Sequence, residues 1–182
     1  RLAVLRRPAK QGLASAYVAG FSAALAQGAD LVAQMDADGS HDPAALPQLY
    51  AALAEADVVI GSRYAPGDSQ DLRRGRYRRA ASHLGNQLVV RLLTSLPISD
   101  PTSGFRLWRR SALERIDPAH QVRSRDYGFQ VEMAVLAARA GCRIAEIPIQ
   151  FRDRVAGRSK MTLAVQLRTV REILAAARRR TE

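Results

Sequence analysis

Residues 31–38 read LVAQMDAD: a short apolar run that stops on two aspartates, Asp36 and Asp38, one residue apart. The composition of 31–35 predicts a buried strand. Beyond it, Asp42 followed by Pro43 has the form of an N-cap and a first helical residue, predicting a helix from there to about residue 55. Strand, acidic turn and helix make one repeating step, and the step continues outward. Residues 2–5 read as a strand and the Ala-rich stretch 11–27 as a helix, while DVVIG at 57–61 reads as a third strand. After a loop over 62–75, a helix is predicted from about 76 to 96, then an irregular stretch over 97–104 and a strand at 105–108. A helix at 127–140, the strand IAEIPI at 144–149 and a polar loop at 157–160 follow. The last helix sets Leu163, Leu167, Val170, Leu174 and Ala177 at helical spacing as its core stripe. This alternation predicts one α/β domain over residues 1–182, with a mostly parallel sheet flanked by helices. Ligands of such sheets sit beyond the strands' carboxyl ends, where Asp36, Asp38, Ser62 and Arg63 fall.

The 182 residues carry 28 Lys and Arg against 17 Asp and Glu, a net charge of +11, and Lys10 and Lys160 are the only lysines. A hydrophobic fraction of 47% is that of a globular chain, so the charge is not that of a disordered basic tail. Such a balance suits a solvated basic surface or a phosphate-rich partner: nucleic acid, an anionic membrane face or a phosphorylated small molecule. Nucleic-acid readout is not expected. Aromatics are 5% of the chain, and the arginine-rich stretch at 73–79 holds only Tyr77 among them. Cys142 is the single cysteine, which excludes an intrachain disulfide. The longest charge-free stretch, 11–29, contains Gln, Ser, Tyr and three glycines and reads as an ordinary helix, not a membrane span. The residues present show no signal-peptide pattern.

Two carboxylates at i and i+2 of an extended chain lie on one side and repel unless a cation or shared proton relieves them. A divalent metal that also holds substrate phosphates is the economical explanation. An EF-hand loop beginning at Asp36 fails, because His41 and Pro47 stand where Gly and Glu are required. A phosphatase of the haloacid dehalogenase kind matches DADGS at 36–40, yet no lysine occurs between Asp38 and Lys160. The phosphatase stays a distant alternative, and acidic residues also populate solvated turns. The third specific reading is a nucleotide-sugar transferase, in which Mg2+ or Mn2+ on Asp36 and Asp38 neutralises the leaving diphosphate and Ser40 adds a third oxygen.

Seven segments in order carry a closer resemblance: GLASAYVAGF (12–21), MDADGSHDP (35–43), GSRY (61–64), RRAASHLGN (78–86), DPTSGFR (100–106), YGFQVE (127–132) and EIPIQFRDRVAGRSKM (146–161). Together they resemble the family 2 glycosyltransferases of GT-A fold, and among them the dolichol- and polyprenol-phosphate mannose synthases. Gly39 and the pair Gly67–Asp68 depart from the usual pattern. The family opens with a strand running into Pro-Thr-Tyr-Asn-Glu and a second strand ending in acidic residues. The resemblance therefore leads one to expect those nucleoside-binding strands ahead of Arg1, and weak donor binding without them. The resemblance implies inverting transfer of mannose from GDP-mannose to polyprenyl or dolichyl phosphate, by a protein held peripherally on the cytoplasmic membrane face. A glucose donor or an inactive transferase piece are the alternatives. It implies that Asp36, Asp38 and Ser40 hold the metal and diphosphate, with Asp38 and Arg63 at the catalytic centre. Arg63, Arg78 and Ser82 would cradle the acceptor phosphate. Arg154 and Lys160 would close over the donor diphosphate, and Asp100, Thr102 and Ser103 would lie on the sugar side. An ionised phosphate acceptor needs no general base; it needs cations to bring two anions into line, a task suited to the arginine fork.

Overall fold

In the computed structural model, which describes residues 3–67, 70–71, 96–152 and 163–178, the step around Asp36 forms as its residues dictate. β1 (Leu31–Gln34) ends just before the aspartates. The Asp42 side chain then accepts from the Ala44 amide at 3.0 Å, capping a 3-10 turn at Pro43–Ala45 that runs into α2 (Leu46–Ala52). The other described elements are α1 (Leu13–Ala26), β2 (Val58–Ser62), β3 (Gln70–Asp71), β4 (Arg106–Arg109), α3 (Arg110–Ile116), α4 (Pro118–Gln121), α5 (Gly128–Arg139), β5 (Ile144–Pro148), β6 (Gln150–Phe151) and α6 (Leu163–Arg178).

The main sheet has the strand order β1-β4-β2-β5. β2 pairs with β5 in parallel, but β4 lies antiparallel to both β1 and β2, with Gln34 and Ile60 each opposite Arg106. The expectation of a mostly parallel, Rossmann-like sheet is therefore corrected: the fold is α/β and GT-A-like with a mixed sheet. The cause is where the chain arrives. Residues 99–104 cross over the carboxyl end of β2, and the Phe105 carbonyl accepts from the Gly61 amide at 2.9 Å. β4 thus starts at the edge where β1, β2 and β5 finish, and it must run back. A separate parallel pair joins β3 to β6.

Alternation along β2 and β4 divides the core between two faces. Val58 and Trp108 pack with Phe21 of α1, Leu113 of α3 and Phe129 and Met133 of α5, whereas Val59, Phe105 and Leu107 pack with Leu49 and Leu53 around α2. Among the described residues, helices cover both faces and leave the strand ends beyond Gln34, Ser62 and Pro148 as an open edge.

Three local expectations change. Residues 3–5 pair with no described strand, and Val4 and Leu5 are exposed. In α6, Ile173 and Ala176 are buried while Val170 is exposed, so the core stripe sits one position off the expected one. Helices α3 and α4 were not foreseen, although Ala112, Leu113 and Ile116 fall on one helical face and Pro118 opens α4. The helix expected over 76–96 falls almost wholly outside the described residues.

Candidate active site

The open edge holds a cleft of about 280 Å³. Asp36, Ala37 and Asp38 line it from the end of β1, Thr102 and Gly104 from the turn into β4, Leu13 from α1, and Tyr127 and Gln130 from the start of α5. Both aspartates of the pair thus line one cleft, together with the Ala37 between them.

Each carboxylate is held from behind. The Tyr17 hydroxyl donates to Asp36 Oδ1 at 2.9 Å, and the Tyr17 ring is braced by stacking on Phe129 at 5.3 Å. Burial, reinforced by the adjacent Asp36 charge, pushes the Tyr17 phenol well above its ordinary value, so it remains a donor. The Asp36 amide donates to His41 Nδ1 at 3.3 Å. Burial holds that imidazole below its usual pKa, against the pull of Asp36, and a neutral ring suits an accepting Nδ1. Gly104 makes room: a Cβ there would lie 3.1 and 3.2 Å from the two Asp36 oxygens. Asp38 Oδ1 accepts from the Ser40 hydroxyl at 2.6 Å and from the Ser40 amide at 3.1 Å. Ser40 itself is 1% exposed and is not among the cleft-lining residues, and its hydroxyl proton goes to Asp38.

Among the described residues no group of three or more Asp, Glu, His or Cys side chains is placed to hold a metal ion. Two carboxylates suit a hard divalent cation that completes its oxygen shell from a diphosphate and water; they do not suit a metal requiring an all-protein cage. Asp36 and Asp38 are the residues that would hold it.

Arg63 stands directly after β2 and, like Asp100 and Ser103, is not among the cleft-lining residues, whereas Thr102 is. The Arg63 Nε and Nη2 donate to Asp100 Oδ2 and Oδ1, each at 2.7 Å, its amide donates to Oδ2 at 3.0 Å, and Nη2 also reaches Thr102 Oγ1 at 2.7 Å. The guanidinium carbon stands 5.2 Å from both the Tyr64 and Phe151 rings. Burial alone raises the Asp100 carboxyl, but the Arg63 charge and hydrogen bonds more than reverse this and hold it below the ordinary carboxylate range. Ser103 donates to the Gly61 carbonyl at 2.6 Å and is buried, so it pins the turn to β2.

Residues not singled out from sequence complete the frame. Glu146 of β5 accepts from the amides of Ser99 at 2.7 Å and Asp100 at 2.8 Å. Arg106, fully buried, donates to the carbonyls of Ser103 and Pro101 at 2.9 and 2.6 Å and stays cationic at neutral pH even though burial pulls its pKa down to about 10. Gln130 reaches the cleft from α5. The available signals were polar residues inside apolar runs: Gln34 in LVAQM, Glu146 in IAEIPI and Gln130 in YGFQVE. Arg78, Ser82, Arg154 and Lys160 lie outside the described residues.

A mixed GT-A-like sheet whose strand ends carry two braced carboxylates defines the glycosyltransferase class of architecture, and comparison with known proteins agrees. The family model described as glycosyl transferase family 2 matches residues 1–117, and the chain belongs to that family. It is 44% identical over 159 residues to an undecaprenyl-phosphate mannosyltransferase of Micrococcus luteus, covering 87% of this chain and 64% of that protein. It is 40% identical over 163 residues to a polyprenol monophosphomannose synthase of Mycolicibacterium smegmatis, covering 89% of this chain and 60% of that one. The match thus spans less than two thirds of either relative. In fold the chain is similar to glucosyl-3-phosphoglycerate synthase from Mycobacterium tuberculosis, solved with Mn2+, UDP-glucose and phosphoglyceric acid. The TM-score is 0.56 at 19% identity, over 96% of this chain and 56% of that one. The glycerol 3-phosphate complex of the same enzyme gives a TM-score of 0.54 at 21% identity, covering 95% and 55%. No helix among the described residues is long and apolar enough to cross a membrane.

Proposed function

We propose that this chain serves an inverting transfer of mannose from GDP-mannose to a polyprenyl monophosphate at the cytoplasmic face of a membrane. The observation that carries the proposal is the convergence of Asp36 and Asp38 with Thr102 on one cleft at the strand ends. The names of the two relatives supply the substrate class.

Asp36 and Asp38 would hold the divalent cation, which when bound offsets the charge developing on the departing nucleoside diphosphate. Tyr17 and Ser40 keep those carboxylates aimed, so little reorganisation remains when the donor arrives. The acceptor phosphate is already an anion at neutral pH and attacks without a base. Arg63, pre-aligned by Asp100, is assigned to that phosphate together with Arg78 and Ser82, while Arg154 and Lys160 are assigned to the donor diphosphate. The net charge of +11 favours an anionic lipid surface as the place of work.

The experiment is a transfer assay on the full-length protein with Mg2+ or Mn2+, polyprenyl phosphate in detergent, and GDP-mannose or UDP-glucose in parallel. Polyprenyl phosphomannose with inverted anomeric configuration is the expected product. A glucolipid alone would reassign the donor, and no glycolipid from either donor would overturn the proposal.

A further inference from the structure

We propose that Gln130 reads the sugar of the donor through an amide whose N–H faces the cleft, its sense fixed by Trp108 acting through Gln34. The inference deepens the reading of the cleft as a nucleotide-sugar site and rests on it.

The indole nitrogen of Trp108 can only donate, and its acceptor is Gln34 Oε1 at 3.2 Å. With that oxygen committed, the Gln34 amide presents its nitrogen on the other side, and Nε2 donates to Gln130 Oε1 at 2.8 Å. The same constraint passes on: Gln130 has its oxygen occupied and turns Nε2 away from Gln34. Gln130 is 5% exposed and lines the cleft with Asp36, Asp38 and Thr102, and no described group accepts from its Nε2. Flipping either amide would set two N–H donors against each other in the interior, where an unmade hydrogen bond is costly. Trp108 and Gln34 are themselves buried. Three residues from β4, β1 and α5 therefore form a one-directional relay that ends at the ligand.

The relay decides what the cleft offers. Asp36 and Asp38 only accept when ionised, and Gln130 only donates. A sugar hydroxyl can accept from that N–H even with a cation on the two carboxylates. A diphosphate oxygen, which only accepts, would use Gln130 alone, and the experiment separates the two.

Binding titrations of the full-length protein at pH 8 would compare GDP-mannose with GDP, and UDP-glucose with UDP, for wild type, Gln130→Met and Gln130→Glu, with thermal melts as fold controls. Methionine removes the donor at similar volume. Glutamate still accepts from Gln34 yet turns an oxygen to the cleft. Gln130→Met is expected to lose about tenfold in affinity for the nucleotide sugar that wild type prefers, while its nucleoside diphosphate affinity changes less than about twofold. Gln130→Glu adds a charge that acts on both ligands, and is expected to lower the ratio of sugar to diphosphate affinity by about tenfold. Folded Trp108→Phe, which frees Gln34 to flip, is expected to erode the same preference although residue 108 touches no ligand. Equal losses for sugar and diphosphate forms, unchanged sugar preference in both Gln130 variants, tighter sugar binding by Gln130→Glu, or no sugar preference in wild type would each overturn the proposal. An unaffected preference in folded Trp108→Phe would overturn the relay. A wild type that shows the preference but makes no mannolipid would refute the transfer reaction and leave this inference standing.

Discussion

Replacing Asp100 with alanine tests how Arg63 is held at the end of β2. The Asp100 carboxylate is 0% exposed and its partner Arg63 is 10% exposed. Removing the carboxylate deprives the Arg63 amide, Nε and Nη2 of an acceptor and leaves a guanidinium buried without this counter-charge. Breaking a buried pair from one side costs about 3–5 kcal/mol. For a chain of this size that corresponds to a melting temperature lower by about 10 °C. Asp100→Asn, which keeps the shape but not the charge, should cost about half as much. The double variant Arg63→Met/Asp100→Leu should recover much of the loss, because neither charge is then stranded. Urea unfolding followed by fluorescence of Trp108, the single tryptophan and fully buried, reads all four proteins. Asp100 has a folded pKa below its unfolded value of about 3.9. Its stabilisation is therefore complete above about pH 4 and is lost as the pH falls through the folded value, and wild type should lose stability in acid more steeply than Asp100→Asn. A loss below about 1 kcal/mol for Asp100→Ala, with no coupling in the cycle, would refute the reasoning.

Asp38→Ala should abolish metal-dependent transfer, with circular dichroism and melting temperature close to wild type, because the side chain lies at the cleft and not in the core; turnover at the wild-type rate would count against the metal assignment. Gly104→Ala puts a Cβ 3.1 Å from Asp36 Oδ1, so the carboxylate must shift by a few tenths of an ångström. The expected result is a weaker Mn2+ response, read by metal titration of activity, at a stability cost of about 1 kcal/mol. Tyr17→Phe keeps the stack on Phe129 and removes the hydroxyl that donates to Asp36 and also meets the Gln34 side chain. Transfer should need several-fold more metal while stability falls by about 1 kcal/mol, as metal-dependence curves and melts would show.

What was legible in the sequence was local. The end of β1 announces itself because an apolar run stops on two acids, and Asp42–Pro43 caps the next helix with residue types suited to nothing else nearby. The direction of β4 was not legible. Strand composition at 105–108 says nothing of which edge the chain comes from, and that is settled by the 99–104 turn docking on Gly61 and Glu146. Arg63 could be placed after a strand, but its partner Asp100 lies 37 residues on, beyond any local spacing rule. Likewise Gln34 and Gln130 are 96 residues apart. Each alone is a polar residue in an apolar run, and only the fold makes them a pair beneath the cleft. Ser40 shows the opposite case: only two residues separate it from Asp38, and its hydroxyl donates to that carboxylate.

The central claim is that a divalent cation and the donor diphosphate meet between Asp36 and Asp38. A crystal of the full-length protein soaked with Mn2+ and GDP, with data collected at the manganese edge, tests this most directly. The account predicts an anomalous peak within coordination distance of both the Asp36 or Asp38 carboxylate and the GDP diphosphate. A bound GDP with manganese elsewhere, or a diphosphate remote from both aspartates, would contradict it.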